Sequence, residues 1–361
     1  MNAVHPMLTN ILTLANAATW QKSIDLADES LSVWLQTPRI FQRIYLVGHG
    51  SSLYNCMVGE YVLEHIAGIP SRAVSAFAYS AYMEEKLLDA QTLVIGISTT
   101  GSTQSVADAL QRARQAGAPT LAITAHKDSA VAQNVDMVIL TGGEDDQISV
   151  KTKSYVQALI PIYLLAVHLT GDKQLQDYWL NQMHLAAQGA GQFLNEGRGQ
   201  ITQLAEKYAN APNIFVLGTG PNLGTAEEGS LKVIETAKMY SECQELEDFF
   251  HGRLREVDQS SPLFFIAPQG YASRRVLDFL TATDMIGVPS IVITDNITAG
   301  IQRLATDVIQ IPVSLDEFAT PLLHVLPMHL FAYEMAVQRG QEPDARRYDI
   351  IPQNVRYQGE S

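Results

Sequence analysis

The sequence has few cysteines and no long apolar run, and each shortage excludes a class of protein. Cys56 and Cys243 are the only cysteines in 361 residues and form no CxxC pattern, so we expect neither a disulfide framework nor a zinc site. This cysteine usage fits a reducing, cytoplasmic compartment. No apolar stretch reaches the ~18 residues of a membrane span. The closest candidate, residues 158–169, contains Pro161 and His168 and is predicted to be a buried helix.

Positive charge is also scarce. The chain has 24 Lys and Arg residues against 38 Asp and Glu residues, which gives a formal net charge of −14 at pH 7. This balance argues against a nucleic acid or an anionic membrane as the partner and favours small molecules or proteins. Apart from His251, the eight remaining histidines show no HxxxH spacing with a nearby acid. We therefore predict no metal and no other cofactor.

What the sequence does contain is an unusual strand, turn and helix over residues 95–117. An apolar run ends at Ile97 and leads into a turn, which we call the hydroxyl turn, made of Ser98, Thr99, Thr100, Gly101, Ser102 and Thr103. Hydroxyls and backbone N–H groups at a helix N-terminus can cradle a phosphate, and Gly101 allows close approach. An ordinary helix cap needs one hydroxyl, whereas this turn has five. The turn therefore predicts a phosphate site.

Strand and helix patterns alternate along the first half of the chain. Two helices are predicted before residue 40, followed by strands at RIYLVG (43–48), SRAVSA (71–76), QTLVIGIS (91–98), TLAIT (120–124) and DMVIL (136–140). Apolar strands that alternate with helices indicate a parallel sheet covered on both faces. Two long helices, 154–169 and 173–195, are expected to lead to a linker around residues 197–199.

The second half repeats this pattern. Residues 213–237 match residues 43–67 in strand, Gly-x-Gly turn and helix, and further strands are predicted at PLFFIAP (262–268), SIVIT (290–294) and VIQIP (308–312). Two similar α/β domains with a seam near residue 195 follow, and ligands should bind at the carboxyl ends of the strands. Neither Gly-x-Gly turn completes GxGxxG, and no acidic residue ends a second strand where it is needed, which disfavours a nicotinamide cofactor.

Five motifs in order give the chain a family resemblance: GHGSS (48–52), ISTTGST (97–103), VKTK (150–153), EEGSLKVIE (227–235) and FFHG (249–252). Together they resemble the SIS, or sugar isomerase, domain pair of glucosamine-6-phosphate synthases and fructosamine-6-phosphate deglycases. The resemblance implies an α/β fold of two tandem SIS domains, each a flavodoxin-like sandwich of a parallel sheet between helices. The expected segments are N-terminal helices (1–40), two SIS domains (41–195 and 196–340) and a tail that contributes to the site (341–361).

The resemblance also implies a sugar phosphate as the ligand and a homodimer with a site shared between subunits. The residues that match the family's phosphate ligands are Ser51, Ser52, Ser98, Thr99, Thr100 and Thr103. Weaker substrate contacts are expected from Gly50, Gly101, Lys153 and Arg347.

Three residues are expected to carry the chemistry. The resemblance implies that Glu235 moves a proton between C1 and C2 of the sugar, with Lys232 one helical turn away to modulate it. A glutamate on a helix is usually a solvated surface residue, so this role depends on the resemblance. His251 follows Glu235 by sixteen residues. In relatives this histidine opens the sugar ring from the neighbouring subunit. They commonly have proline two residues after it, where this chain has Arg253.

Other departures bear on the reaction. Met1 leaves no room for a glutaminase domain, so glutamine-dependent amidotransfer is not expected. Ile351 occupies the position of the lysine that forms a Schiff base in the synthases, and the PDARRY segment (343–348) resembles the ending of the deglycases. We expect an enzyme that enolises a 6-phosphorylated amino or Amadori-type sugar, as a deglycase or deaminase. An aldose–ketose isomerase and a non-catalytic sugar-phosphate-binding regulator remain as alternatives. His324 and His329 could approach the site, but packing is the expected role of both.

Overall fold

The computed structural model describes residues 4–36, 39–143, 146 and 148–348, and its first domain is built around five strands. Its elements are α1 (Pro6–Thr13), α2 (Ala17–Trp34), β1 (Arg43–Gly48), α3 (Ser51–Ala67), β2 (Ser71–Ser75), α4 (Ala76–Tyr82), β3 (Thr92–Ile97), α5 (Gln104–Gln115), β4 (Thr120–Thr124), β5 (Met137–Leu140), α6 (Lys153–Thr170) and α7 (Lys173–Glu196).

The second domain repeats this succession. Its elements are α8 (Arg198–Tyr208), β6 (Asn213–Gly218), α9 (Asn222–Ala237), β7 (Tyr240–Glu245), α10 (Leu246–Phe250), β8 (Leu263–Ile266), α11 (Tyr271–Ile286), β9 (Ser290–Thr294), α12 (Ala299–Leu304), β10 (Asp307–Gln310), α13 (Pro321–His324) and α14 (Leu326–Gln338). The nine predicted strands are confirmed, with ends that lie within two residues of the predicted ones. Strand β7 was not predicted, because its sequence YSECQE contains no apolar run.

Both sheets are parallel and have the same strand order. The orders are β2-β1-β3-β4-β5 and β7-β6-β8-β9-β10. The predicted fold of two tandem α/β domains is therefore confirmed. In the first sheet Val47 lies opposite Gly96, so the carboxyl ends of β1 and β3 are neighbours. In such sheets this is the place where a ligand binds.

The largest hydrophobic core lies between the two sheets and belongs to both domains. It contains Leu46 and Ile95 from the first sheet, Val216 and Ile291 from the second, and much of α6. Separate smaller cores cover the outer face of each sheet. Because the two domains share one core, we expect their relative position to be fixed by packing.

Helices α3 and α9 touch in the middle of this shared core. A Cβ atom on Gly224 would lie 2.6 Å from the Tyr54 carbonyl oxygen, and one on Gly50 would lie 3.9 Å from Leu231. Glycine at position 224 therefore allows the two backbones to approach. Since the residue numbers change in opposite directions, the helices are antiparallel. The start of α3 consequently meets the end of α9.

Some local features differ from the sequence-based expectation. The linker expected around residues 197–199 is reduced to Gly197, because α8 begins at Arg198. A Cβ at Gly197 would lie 2.9 Å from the Phe193 carbonyl oxygen, so glycine permits this tight junction. Short helices α4 and α10 follow β2 and β7 directly, capped by the side chains of Ser75 and Glu245. The four segment limits given above remain predictions. None of the helices in the described part of the chain combines the length and hydropathy that a membrane span requires.

Candidate active site at the domain interface

The hydroxyl turn follows β3 and is held by its own side chains. Ser98 Oγ lies 2.9 Å from Thr103 Oγ1, and Thr100 Oγ1 lies 2.8 Å from Ser102 Oγ. Gly101 has a φ of +65°, and a Cβ there would collide with Ser129. No side chain caps α5. The N–H groups at the start of this helix are therefore placed to receive an anion.

A second helix start lies beside the first. Gly50 has a φ of +53°, and α3 also begins without a side-chain cap. His49 Nε2 lies 2.9 Å from Ser105 Oγ and so connects this turn to the first turn of α5. Burial lowers the pKa of His49, which favours the neutral ring. The geometry thus brings two uncapped helix N-termini together at the carboxyl edge of the first sheet.

Lys232 connects this edge to the second domain. Its ammonium donates to Ser51 Oγ at 3.0 Å and to Glu235 Oε2 at 2.7 Å, and it lies 3.3 Å from Glu228 Oε1. Burial disfavours the ammonium, but the carboxylates of Glu228 and Glu235 outweigh it and raise the pKa of Lys232. The lysine therefore stays charged and fixes one oxygen of Glu235. The side chain of Glu235 remains 34 % exposed.

The cluster continues into two residues that the sequence analysis did not assign to the site. Glu228 and His329 are fully buried, and His329 Nε2 lies 3.3 Å from Glu228 Oε1. Burial lowers the pKa of His329, so the neutral ring donates its Nε2 proton to the carboxylate. The Glu228 and Lys232 spacing of four residues was visible in the sequence. The packing of α14 on α9 that brings in His329 was not.

A cavity of about 690 Å³ opens beside Glu235. It is lined by the end of α9, the start of β7, the loop before α6 and the C-terminal segment, including Ile234, Glu235, Lys238, Tyr240, Asp344, Arg346, Arg347 and Tyr348. Asp344 holds the C-terminal segment in place, since its Oδ1 accepts from the backbone N–H groups of Ser149 at 2.8 Å and Val150 at 3.2 Å. Arg347, an expected substrate contact, thus lies in the same cavity as Glu235.

The structure does not bring all of the expected site residues together. Lys153 begins α6 and lies 3.8 Å from Asp146, whose buried carboxylate accepts from the Thr152 N–H at 2.8 Å. Burial raises the pKa of Asp146, although that hydrogen bond opposes the shift. Lys153 is therefore engaged outside the cavity lining.

His251 is the other outlying residue. Its side chain is 74 % exposed and lies 3.5 Å from Glu247. Within the described part of the chain it forms no hydrogen bond or ion pair with Glu235. Two other expected phosphate ligands, Ser52 and Thr99, are known here only by their backbone positions. Ser52 lies in the first turn of α3, and the Thr99 carbonyl accepts from the Ala125 N–H at 3.0 Å. Ile351 lies outside the described residues.

This arrangement can hold an anion and move a proton. The hydroxyl turn and the α3 start offer donors at one end, and Ser51 and Lys232 lead from there to Glu235. A carboxylate that faces a cavity and has one oxygen fixed by an ammonium is suited to general acid–base catalysis. A ligand that matches this arrangement has an anionic group at one end and a removable proton further along.

Comparison with known proteins gives this geometry a context. The family described as the SIS domain matches residues 41–168 and 207–339. A glutamine–fructose-6-phosphate aminotransferase (isomerizing) from Gloeobacter violaceus is 30 % identical over 319 residues, which are 85 % of this chain and 51 % of that protein. The chain therefore spans about half the length of the curated relatives it matches.

Solved structures share the fold at low sequence identity. The C-terminal domain of glucosamine-fructose-6-phosphate aminotransferase from Francisella tularensis has a TM-score of 0.78 at 20 % identity, covering 95 % of this chain and 99 % of that one. Tagatose-6-phosphate ketose/aldose isomerase from Escherichia coli has a TM-score of 0.77 at 22 % identity, covering 93 % and 94 %. These similarities support the two-domain fold.

Proposed function

The chain belongs to the SIS domain family, and we propose that it is an enzyme that enolises a 6-phosphorylated amino sugar or Amadori-type sugar. The reaction would be that of a deglycase or deaminase. In this proposal the protein acts in the cytoplasm as a homodimer. The observation that carries the proposal is the bridge made by Lys232, which joins Ser51 of the first domain to Glu235 of the second.

The phosphate is assigned to the hydroxyl turn and the start of α3. Uncapped helix N-termini and hydroxyl donors suit a dianion, and Ser51 lies between this cradle and Lys232. With the phosphate anchored there, the sugar chain extends towards Glu235. Gly50 and Gly101 allow the backbone to approach the ligand.

Glu235 is assigned the proton transfer. It removes a proton from the carbon next to the carbonyl or imine and returns it to the neighbouring carbon, which gives an enediol or enaminol between the two steps. Lys232 holds the carboxylate oxygen at 2.7 Å and compensates the negative charge in its buried surroundings. The other carboxylate oxygen is left for the substrate.

His251 is assigned to ring opening in the site of a second subunit. Its 74 % exposed side chain, not engaged with Glu235 of its own chain, supports this assignment. An imidazole titrates near neutral pH and can exchange protons with the ring oxygen and O1.

The decisive experiment compares substrates and one variant pair. Purified protein is incubated with fructosamine 6-phosphates, glucosamine 6-phosphate and fructose 6-phosphate, and the products are followed. Glu235→Gln should lower turnover by about 10²–10⁴-fold, the usual contribution of a general base. The matched control is His65→Gln, because His65 corresponds to Glu235 in the internal repeat. Unchanged turnover in Glu235→Gln contradicts the mechanism, and binding without turnover favours the regulator.

The shared site can be tested by mixing two inactive variants. Glu235→Gln and His251→Asn homodimers are unfolded, mixed and refolded together. Random pairing makes half of the dimers mixed, each with one intact site, so about a quarter of the wild-type activity should return. No recovery, or a fully active monomer in light scattering, contradicts the shared site.

A further inference from the structure

The cavity beside Glu235 is lined by more positive charge than the chain as a whole would suggest. Lys238, Arg346 and Arg347 face it in a protein with a net charge of −14. The two acids in the lining are already engaged, since Glu235 pairs with Lys232 and Asp344 accepts two backbone N–H groups. The cavity therefore has an excess of positive charge.

The three cations have neutral partners. Arg346 donates to the Ser149 hydroxyl at 3.3 Å, Arg347 donates to the Lys238 carbonyl at 3.3 Å, and Lys238 donates to the Glu235 carbonyl. Among the described residues, none of the three lies within ion-pair distance of a carboxylate. Cations in a cavity that are not directly paired with a carboxylate are suited to bind an anion.

The backbone of Lys238 is a second, independent observation. It ends α9 in the left-handed region with a φ of +53°, which is unfavourable for any residue with a Cβ. The corresponding residue of the first domain is Gly68, with a φ of +66°. Burial lowers the pKa of Lys238 and Arg347 adds to this, whereas the carboxylates of Glu235 and Asp344 oppose it. A lysine therefore lies at the edge of the cavity in a backbone conformation that favours glycine.

The position of the cavity indicates which part of a substrate reaches it. Ser51 and Lys232 lie between the hydroxyl turn and Glu235, and the cavity opens beside Glu235. No residue of the hydroxyl turn lines it. A sugar with its phosphate in the turn and its reactive carbons at Glu235 would thus direct its C1 substituent into a space of about 690 Å³.

We infer that Lys238, Arg346 and Arg347 form a second anion subsite that binds a carboxylate-type group on the C1 amine substituent of the substrate. This inference rests on the proposed function and specifies its substrate as an Amadori-type 6-phosphate with an anion at each end. The planar guanidinium groups match a carboxylate through paired hydrogen bonds.

The test measures binding in the Glu235→Gln background, so that turnover does not interfere. Calorimetry compares 1-deoxyfructose 6-phosphates that carry glycine, glycinamide or aminomethylphosphonate at C1. The glycine derivative should bind about tenfold more tightly than the amide, because one charge-assisted contact is worth that much. A phosphonate preference over glycine would assign the anion as a phosphate type and overturn the carboxylate assignment.

Two variants localise the effect. Lys238→Gly, which installs the residue of the first domain and relieves its backbone, and Arg346→Gln should each remove most of the preference for glycine over glycinamide. Affinity for fructose 6-phosphate should stay unchanged. Lys173→Gln is the charge-matched control, because Lys173 lies beyond the 18-residue helix α6, about 27 Å from the loop that holds the C-terminal segment.

Failure of the subsite and failure of the proposed reaction give different results. Equal binding of the glycine and glycinamide derivatives overturns the subsite, even if wild-type protein converts either compound. Loss of fructose 6-phosphate binding in Lys238→Gly also overturns it, since the cations would then hold the sugar phosphate. A glycine preference that persists although wild-type protein converts no substrate supports the subsite and contradicts the reaction.

Discussion

The two domains share a strand order but differ at the turn after their third strand. In the first domain this is the hydroxyl turn, followed by the uncapped helix α5. In the second domain the turn spans residues 267–270, and the protein's own carboxylates occupy the helix start. Asp295 accepts from the Gln269 N–H at 2.7 Å, and Glu317 accepts from the Tyr271 N–H at 2.9 Å. The two turns thus occupy equivalent places, and in the second domain carboxylates of the same chain accept from the N–H groups there.

The helices after the first strands differ in the same way. Glu228, Lys232 and Glu235 of α9 correspond to Val58, Val62 and His65 of α3. His65 stacks on Phe318 with ring centroids 3.7 Å apart, so an aromatic pair occupies the place that corresponds to Glu235, the proposed general base. The two domains therefore share the same backbone arrangement of strand, turn and helix, whereas the charged side chains suited to acid–base chemistry are found on α9 alone.

The largest expected effect comes from giving α9 the apolar residues of α3. Lys232→Val should lower the free energy of unfolding by about 3–5 kcal/mol, because Glu228 loses its ammonium partner in the core. The double variant Glu228→Val, Lys232→Val should lose less than Lys232→Val alone, since both charges are removed together. Urea unfolding followed by circular dichroism measures both. Equal or additive losses would show that the buried charges do not act as a pair.

A smaller effect is expected at the hydroxyl turn. Thr103→Val keeps the shape of the side chain and removes a donor, so it should weaken fructose 6-phosphate binding by ~10–100-fold, the range for a hydrogen bond to a charged group. Calorimetry gives the dissociation constants. Gln269→Ala, in the corresponding turn of the second domain, should leave them unchanged. A similar loss in both variants would mean that the two turns do not differ in anion binding.

Acid should destabilise the protein through the buried histidine of the charged cluster. The pKa of His329 is lowered from 6.5 by burial, so below pH 6.5 the unfolded chain takes up a proton that the folded chain resists. Stability should therefore fall as the pH falls below 6.5, by at most about 1.4 kcal/mol per pH unit for this group. His329→Gln should flatten this slope in urea unfolding at pH 7, 6 and 5. An unchanged slope would assign the acid sensitivity to other groups.

The smallest effect concerns the residue that ends α3 and α9. Gly68→Lys should lower the free energy of unfolding by about 1 kcal/mol, because it places a Cβ in the left-handed region. Nothing lies within 4 Å of that Cβ, so the cost is one of backbone alone. Lys238→Gly should raise stability by a similar amount. Thermal unfolding of the two variants checks both signs, and a loss in Lys238→Gly would mean that the lysine has a structural role.

The sequence predicted most of the fold because its signals are local. Apolar strand runs such as TLAIT and SIVIT are fully buried strands with the predicted ends, and the repeat of two Gly-x-Gly turns indicated two domains. The prediction of a linker around residues 197–199 was wrong in its length, because a single residue, Gly197, separates α7 from α8. The short helices α4 and α10 depend on single capping side chains, which are weak signals in a sequence.

Only part of the candidate site could be predicted from local sequence signals. Glu235, Lys232 and the hydroxyl turn were chosen from motifs, and the structure places Ser51 and Glu235 on either side of Lys232. Glu228 had a recognisable spacing to Lys232. His329 was expected to have a packing role, although an approach to the site was considered. It reaches the cluster from α14, about a hundred residues further along the chain.

By itself the sequence determined most of the strands and long helices, the parallel sheets, the internal repeat and the chemical character of the hydroxyl turn; β7, α4 and α10 escaped it. These follow from side-chain periodicity and from backbone preferences that act over a few residues. The tertiary structure decided which of two equivalent turns receives carboxylates from its own chain, which buried groups share the charge of Lys232, and that Lys238 and the C-terminal arginines face one cavity. Those outcomes depend on distances between segments far apart in the chain, and packing alone sets such distances.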